Sequence, residues 1–420
     1  MPQKLKKHWP RIALLLAVVG PGLITAVADN DAGGVATYTV AASLFGMASQ
    51  YFIIPTTLLL AVTQEIGARL AIVTGKGLGG LIRERFGVKI AALVFLLYLI
   101  VNEGVVLQNI SGLKAALQLF NAPWQWGLII TCIILTIAII KLNFRRLQRV
   151  FLIMILFYLA YVVSAFLSHP DWSEALQESF IFPRKINIWN INYWFTLIAV
   201  LGTTITAWGQ FFVSSFIVDK GIHSNQLGGE RVEIFGGAVI TNFISWMIAL
   251  SVTYTLFAHS IKVTDGFAAA LAIKPFVGEF AGTLFAAGLF GASLLGLTIV
   301  PLATAYVFTE LFGYERTLNA SFKKGRPFYI FFILQLLVGL FAALIPSVNL
   351  FRVTLYADYL NGAMLPLIFY FLITFSEDKS IMGEKHVVKG WMSWVLRFSA
   401  VVIMAAVAVT FFGKLLGWGA

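Results

Sequence analysis

This sequence is poor in charge. Only 12% of its 420 residues are Asp, Glu, Lys or Arg, against roughly 25% in an ordinary soluble domain. Acids are scarcer than bases, 19 against 30. There is one cysteine, Cys132, so no intrachain disulfide can form and no cysteine-rich metal motif exists. The five histidines, His8, His169, His223, His259 and His386, lie in loops or at the edges of apolar runs. None sits where an imidazole-based metal site deep in the chain would need it. Apolar residues fill the space instead, at 59% of the sequence with a mean hydropathy of +0.87. Even a large soluble domain leaves about a quarter of its unfolded-chain surface exposed, and this composition cannot do so in water. A soluble enzyme, a disordered chain and a disulfide scaffold are excluded. The formal charge of +11 suits a nucleic-acid partner only if the bases cluster on one surface. They are distributed otherwise, so no nucleic-acid partner is expected.

A membrane helix needs about 20 mostly apolar residues. Eleven such segments can be read, near 12–45, 48–73, 90–118, 124–142, 148–168, 191–218, 232–258, 282–312, 327–346, 350–375 and 391–416. A transmembrane sheet would show short alternating segments, so an all-α integral membrane protein is expected. The basic start, residues 1–11, has no small-residue cleavage site before the apolar stretch and reads as a retained cytoplasmic tail. Lys and Arg then set the orientation. With the N-terminus inside, the cytoplasmic segments hold 21 of them and the outer segments 6. The pattern predicts a cytoplasmic N-terminus, an outer C-terminus and basic loops that face anionic lipid.

Six acids fall inside spans: Asp29, Asp31, Glu65, Glu103, Glu310 and Asp358. An ionisable side chain at mid-bilayer costs at least about 2.5 kcal/mol, so each is a functional candidate. Glu65 has Arg69 one turn away and reads as a structural pair. Glu310 lies near the cytoplasmic end of its span and also reads as structural. Asp29 and Asp31 differ. They lie in Asp29-Asn30-Asp31-Ala32-Gly33-Gly34, in mid-span, where glycines and short polar residues disfavour helix. Asp31 reads as an unpaired acid at a helix break. A second defect, Gly202-Thr203-Thr204-Ile205-Thr206-Ala207-Trp208-Gly209-Gln210, falls in the sixth span. Unwound backbone at that depth survives only where it lines a cavity or is buried in protein. Breaks in spans one and six suggest two five-helix repeats plus an eleventh helix, with an ion site near the midplane.

The residue types narrow the ion. Neither break carries histidine, methionine or cysteine. Carboxylate, hydroxyl, carbonyl and water suit Mg²⁺, Ca²⁺ or Mn²⁺. Asp358, in the tenth span, would balance a divalent charge together with Asp31 if it reaches the same cavity; without a cation, two close carboxylates repel and one takes a proton.

These residues resemble the Nramp family of divalent-metal transporters. Gly20-Pro21-Gly22-Leu23-Ile24-Thr25-Ala26, leading into Asp31-Ala32-Gly33-Gly34 and Ala36-Thr37, is similar to the family's first-helix pattern ending in Asp-Pro-Gly-Asn. Gln64, Ala68-Arg69-Leu70 and Val73-Thr74-Gly75 resemble its second helix. Glu103 falls where the family keeps a third-helix glutamate, and Leu365-Pro366 resembles the tenth-helix Leu-Pro. The departures matter as much. The family asparagine is Gly34, the sixth-helix methionine is Thr206, and two sixth-helix histidines are Trp208 and Val213. The third-helix aspartate falls on Ile110, beside Asn109, and the tenth-helix glutamine on Asp358. In this respect the chain is most similar to the Nramp-related magnesium transporters.

The resemblance implies a LeuT-type fold of two inverted five-helix repeats plus an eleventh helix, with helices 1 and 6 interrupted. The expected units are the tail at 1–11, repeat one at 12–168 and an extracellular loop at 169–190. Repeat two follows at 191–375, then a loop and helix 11 at 376–420. The implied activity is import of Mg²⁺, and of Mn²⁺ beside it, by alternating access in the plasma membrane. The ion is cargo, no cofactor is expected, and proton coupling is not tight. The implied site is Asp31 as main ligand, Asp358 acting through water, the Thr203 carbonyl and a Thr206 oxygen, with Gly34 leaving room. Asp29, Gln64, Asn109 and Glu103 stand behind it or in its vestibule. The chain is expected to act as a monomer or weak homo-oligomer. Two further readings stay open: a proton-coupled Mn²⁺/Fe²⁺ transporter, and a symporter of a small organic substrate on the same scaffold. No Ser-His-Asp or His/Cys arrangement suggests an enzyme.

Overall fold

The computed structural model describes residues 20–142, 144–181, 187, 190–263, 266–314, 318, 322–345 and 350–416. The expected tail at 1–11 and the start of the first span lie outside the described residues. The described residues form helices and turns with no strand. Ten stretches are long and apolar enough to cross a membrane. The first span is the eleventh; it is split into α1, Pro21–Ala28, and α2, Ala32–Phe45.

Spans two to four are α3, Ile53–Thr74, α4, Leu78–Leu119, and α5, Trp124–Lys141. Helix α4 begins well before the expected 90 because two helices meet at Gly87, whose φ of 79° only glycine adopts readily. The piece before Gly87 buries Leu78, Leu81 and Ile82 and exposes Glu84 and Arg85. Span five is α6, Phe144–Ile155, and α7, Leu159–Leu167, joined by a 3₁₀ turn at Leu156–Tyr158. The loop expected at 169–190 contains a short helix, α8, Trp172–Phe180, which Asp171 caps by accepting from the Ser173 and Glu174 N–H groups. Span six is split into α9, Ile191–Thr204, and α10, Ala207–Lys220. Then follow α11, Leu227–Val252, α12, Gly266–Phe312, α13, Arg326–Leu344, α14, Leu350–Ser376, α15, Lys379–His386, and α16, Trp391–Leu415. Helix α12 starts at Gly266, earlier than the expected 282.

Burial sorts the spans into an inner and an outer set. Span six is 89% buried over its most apolar window, and α16 only 17%. Helix α5 exposes Trp126, Ile130, Ile133, Ile134 and Ile137, and α16 exposes Trp394, Phe398 and Val401. Apolar surface on that scale faces a membrane or a partner, and here it is the lipid face of a bundle. Inside, α4 runs along α12, α9 along α14, and α1 along α11. Ion pairs gather at one end. Arg69 and Arg231 both reach Glu65 Oε1, at 2.5 and 2.8 Å, so the expected Glu65–Arg69 pair is joined by a base from span seven. At the same end the start of α1 is tied to α11, where the Gly22 N–H donates to Glu230 Oε1 at 3.1 Å and the Gly20 N–H donates to Glu233.

Candidate functional site

Asp29, Asn30 and Asp31 form the link between α1 and α2, and each side chain goes to a different neighbour. Asp29 Oδ1 accepts from Thr206 Oγ1 at 2.9 Å, and its Oδ2 accepts from Gln64 Nε2 at 3.4 Å. Asn30 turns to α11: its Nδ2 donates to the carbonyl and hydroxyl of Thr241, both at 2.7 Å, and its Oδ1 accepts from Ser245 Oγ at 2.7 Å. Asp31 caps α2 by accepting from the Gly34 N–H at 3.0 Å, while Asn109 Nδ2 of α4 donates to its other oxygen at 2.6 Å. Asp31 is therefore not an unpaired acid. A residue that starts a helix in extended conformation with a carboxylate facing free N–H groups is a natural cap, and Asp31, at φ −60° and ψ −177°, is one. Asn109 also accepts the Ala32 N–H at 3.0 Å, a donor that in an unbroken helix would go to Ala28.

The sixth break is built in a similar way. Thr206 is extended and accepts the Gly209 N–H at 3.1 Å while donating to Asp29. The Ala207 N–H goes to Asn361 Oδ1 of α14 at 3.2 Å and leaves the Thr203 carbonyl without its helical partner. Gly202 lets α14 come close: a Cβ there would stand 2.0 Å from the Asp358 carbonyl oxygen.

Asp358 follows from that close approach. It is 1% exposed, and Thr37 Oγ1 donates to its Oδ2 at 2.5 Å. The side chains of Thr203, Gln108 and Asp31 lie near it. Gly34 lies between these groups: a Cβ on it would stand 2.7 Å from the Asp29 carbonyl oxygen and 3.4 Å from Thr203 Oγ1. The space that a larger residue would fill is therefore bounded by backbone.

The structure brings together Asp29, Asp31, Gly34, Gln64, Asn109, Thr203, Thr206 and Asp358. Glu103 does not join them. It forms no hydrogen bond among the described residues, and one of its carboxylate oxygens is buried without a partner. Glu310 is structural as expected, accepting from Ser215 Oγ at 2.7 Å. Asn30, Thr37, Gln108 and Asn361 belong to the cluster but do not stand out in the sequence. Small polar residues in membrane spans commonly bond between helices, and only Asn30, between two acids, carries a local signal.

The chemistry here is all oxygen and amide. Among the described residues no three carboxylate, imidazole or thiolate side chains converge into a metal cage. A cation bound here takes part of its shell from carbonyls, hydroxyls and water.

The family model Nramp, natural resistance-associated macrophage protein-like, matches residues 22–413. The divalent metal cation transporter MntH of Listeria welshimeri serovar 6b is 24% identical over 409 residues, which cover 91% of this chain and 87% of that protein. Among solved structures, the Eremococcus coleocola manganese transporter, crystallised with an aromatic bis-isothiourea substituted compound, aligns with a TM-score of 0.76 at 16% identity over 96% of this chain and 88% of that one. Mhp1, a nucleobase-cation-symport-1 family transporter in a closed conformation with bromovinylhydantoin bound, aligns at 0.61 with 14% identity over 94% and 93%. At these identities the likeness shows the fold, a LeuT-type helical bundle. The family match, which runs from the first half-helix through the last span, shows that this multi-pass membrane chain belongs to the Nramp family.

Proposed function

We propose that this chain is a divalent metal cation transporter that carries Mg²⁺, and Mn²⁺ beside it, into the cell by alternating access. The ion is cargo, and it travels partly hydrated. Asp31 supplies the main charge, Asp358 acts through water, and the Thr203 carbonyl and the remaining lone pair of Thr206 complete the polar surface. Asp29, Gln64 and Asn109 hold these groups in place. The chain lies in the plasma membrane with its N-terminus in the cytoplasm, as a monomer or weak homo-oligomer.

One observation carries the preference for a hydrated hard ion. The side-chain oxygens of Asp29, Asp31 and Thr206 are already hydrogen-bonded within the protein, and Gly34 sits too tightly against the Asp29 carbonyl for a side chain there to add a ligand. Mg²⁺ gives up water reluctantly and is commonly held by one or two carboxylates plus several waters. Bridging waters bind nearly as well as direct ligands. A membrane potential of 100 mV contributes about 4.6 kcal/mol to entry of a doubly charged ion, at roughly 2.3 per charge, so no second ion is required to drive uptake.

The relatives favour a second reading, a proton-coupled Mn²⁺ transporter. They are named as an MntH divalent metal cation transporter and a manganese transporter. Isothermal titration of the purified protein with Mg²⁺, Mn²⁺ and Cd²⁺ separates the two. Binding of Mg²⁺ and Mn²⁺ without Cd²⁺ supports the magnesium reading. Tight Cd²⁺ binding with no Mg²⁺ heat overturns it.

A further inference from the structure

Span five holds a feature that the site above does not use. Between α6 and α7 the chain tightens into the 3₁₀ turn Leu156–Tyr158. A 3₁₀ stretch inside a helix often marks a functional position. Tyr158, the last residue of that turn, is 1% exposed, and its hydroxyl has no hydrogen-bond partner among the described residues. Tyr161 is equally buried and equally unpartnered, with its ring stacked on Tyr158 at 6.3 Å between centroids and 29° between planes. A buried tyrosine hydroxyl usually finds a partner. Two that find none among the described residues, side by side, point to a partner outside the protein.

The packing that places them is specific. Helix α12 omits side chains where Tyr161 and Phe157 press in. A Cβ at Gly288 would stand 2.7 Å from the Tyr161 ring, and one at Gly291 would stand 2.4 Å from Phe157. Helix α1, which ends at the first break, packs against α6, which leads into the turn. Asp31 and Asp29 both lie within electrostatic reach of the Tyr158 hydroxyl.

A neutral phenol is a poor direct ligand for a hard cation, but its oxygen accepts hydrogen bonds well. Water bound to a divalent cation is polarised and donates strongly. We propose that Tyr158 is a specificity residue of the transport site. Its oxygen accepts a hydrogen bond from a water in the first shell of the bound ion, and Tyr161 is the next group along. The residue then favours an ion that keeps its water over one that sheds it. This inference rests on the reading that the cargo is carried hydrated.

The test compares wild type, Tyr158→Phe and Tyr161→Phe by titration with MgCl₂ and MnCl₂ and by thermal melting of the full chain in detergent. Tyr158→Phe is expected to weaken Mg²⁺ binding about fivefold, the effect of one hydrogen bond, and Mn²⁺ binding by a smaller factor. Its melting temperature stays unchanged, because the deleted oxygen has no partner among the described residues. Tyr161→Phe shows the same pattern more weakly. Equal loss of both ions, no loss of either, or a marked drop in melting temperature overturns the proposal. If wild type binds Mn²⁺ and not Mg²⁺, the magnesium reading fails by itself. Tyr158→Phe with weaker Mn²⁺ binding and unchanged melting then supports the water-binding role, and unchanged Mn²⁺ binding overturns it.

Discussion

The first break spends its polar side chains on neighbouring helices, whereas the sixth leaves several of its own without a partner. Asp29, Asn30 and Asp31 reach α3, α4, α10 and α11. Around the sixth break, Trp208 Nε1, both amide atoms of Gln210 and Asn361 Nδ2 are buried with no hydrogen bond among the described residues. Unsatisfied buried polar groups are costly and mark places where water, an ion or a movement completes the structure. The carboxylate side of the site is therefore preorganised, and the sixth-span side is the adaptable one. The alternating access proposed above would use both: a fixed charge to hold the ion and an element that can change partners around it.

Removing the charge tests the fixed side most severely. Asp31→Ala is expected to abolish transport while the protein still folds and inserts. Loss of the α2 cap costs about 1 kcal/mol, visible as a modest fall in melting temperature. Wild-type uptake in liposomes by a correctly inserted variant would remove Asp31 from the site.

Changing the adaptable side should alter choice more than rate. Thr206→Met brings in a soft thioether and is expected to raise Mn²⁺ and Cd²⁺ transport relative to Mg²⁺. It also removes the cap of α10 and the hydroxyl partner of Asp29. Adding Gly34→Asn restores the family amide, but its Cβ must displace the Asp29 backbone, so the double variant is expected to melt lower than Thr206→Met. An unchanged ion ranking in both, measured by competition uptake, would show that these positions do not set selectivity.

Asn30→Ala sharpens the comparison without touching a proposed ligand. Three hydrogen bonds to Thr241 and Ser245 are lost, and about 1–3 kcal/mol of stability with them. Ion affinity should fall by a few-fold at most. A melting curve and a titration on one preparation check both, and a loss of binding as deep as in Asp31→Ala would make Asn30 part of the ion site.

The smallest effect is expected for protons. Where the resemblance would place titratable groups, Ile110, Trp208 and Val213 are fully buried and apolar or neutral. Liposomes holding a pH dye and driven by a Mg²⁺ gradient at clamped voltage should show no acidification in step with uptake. Acidification that tracks Mg²⁺ entry and disappears in Asp31→Ala would establish coupling.

The breaks themselves are legible in the sequence. Glycine beside short polar residues weakens a helix wherever it occurs, and the chain unwinds at 29–31 and 205–206, within the two defects. The 3₁₀ turn at Leu156–Tyr158 is not legible, because Leu, Phe and Tyr carry no local signal against helix and glycines on α12 make its place. Glu103 misleads for a related reason. A single acid in a span does not reveal which way the helix is turned, and rotation is decided by packing against neighbours.

By itself the sequence determined the membrane class, the eleven spans and the two places where they break. These depend on runs of adjacent residues, whose hydropathy and helix propensity act locally. The tertiary structure decided which side chains meet. Thr37 and Asp358 are 321 positions apart, Asp29 and Thr206 177, and Asp31 and Asn109 78. Such pairs form only when helices settle at a particular rotation and depth. That choice depends on the fit of small residues such as Gly202 and Gly34 against another helix or the facing backbone, and no local pattern encodes it.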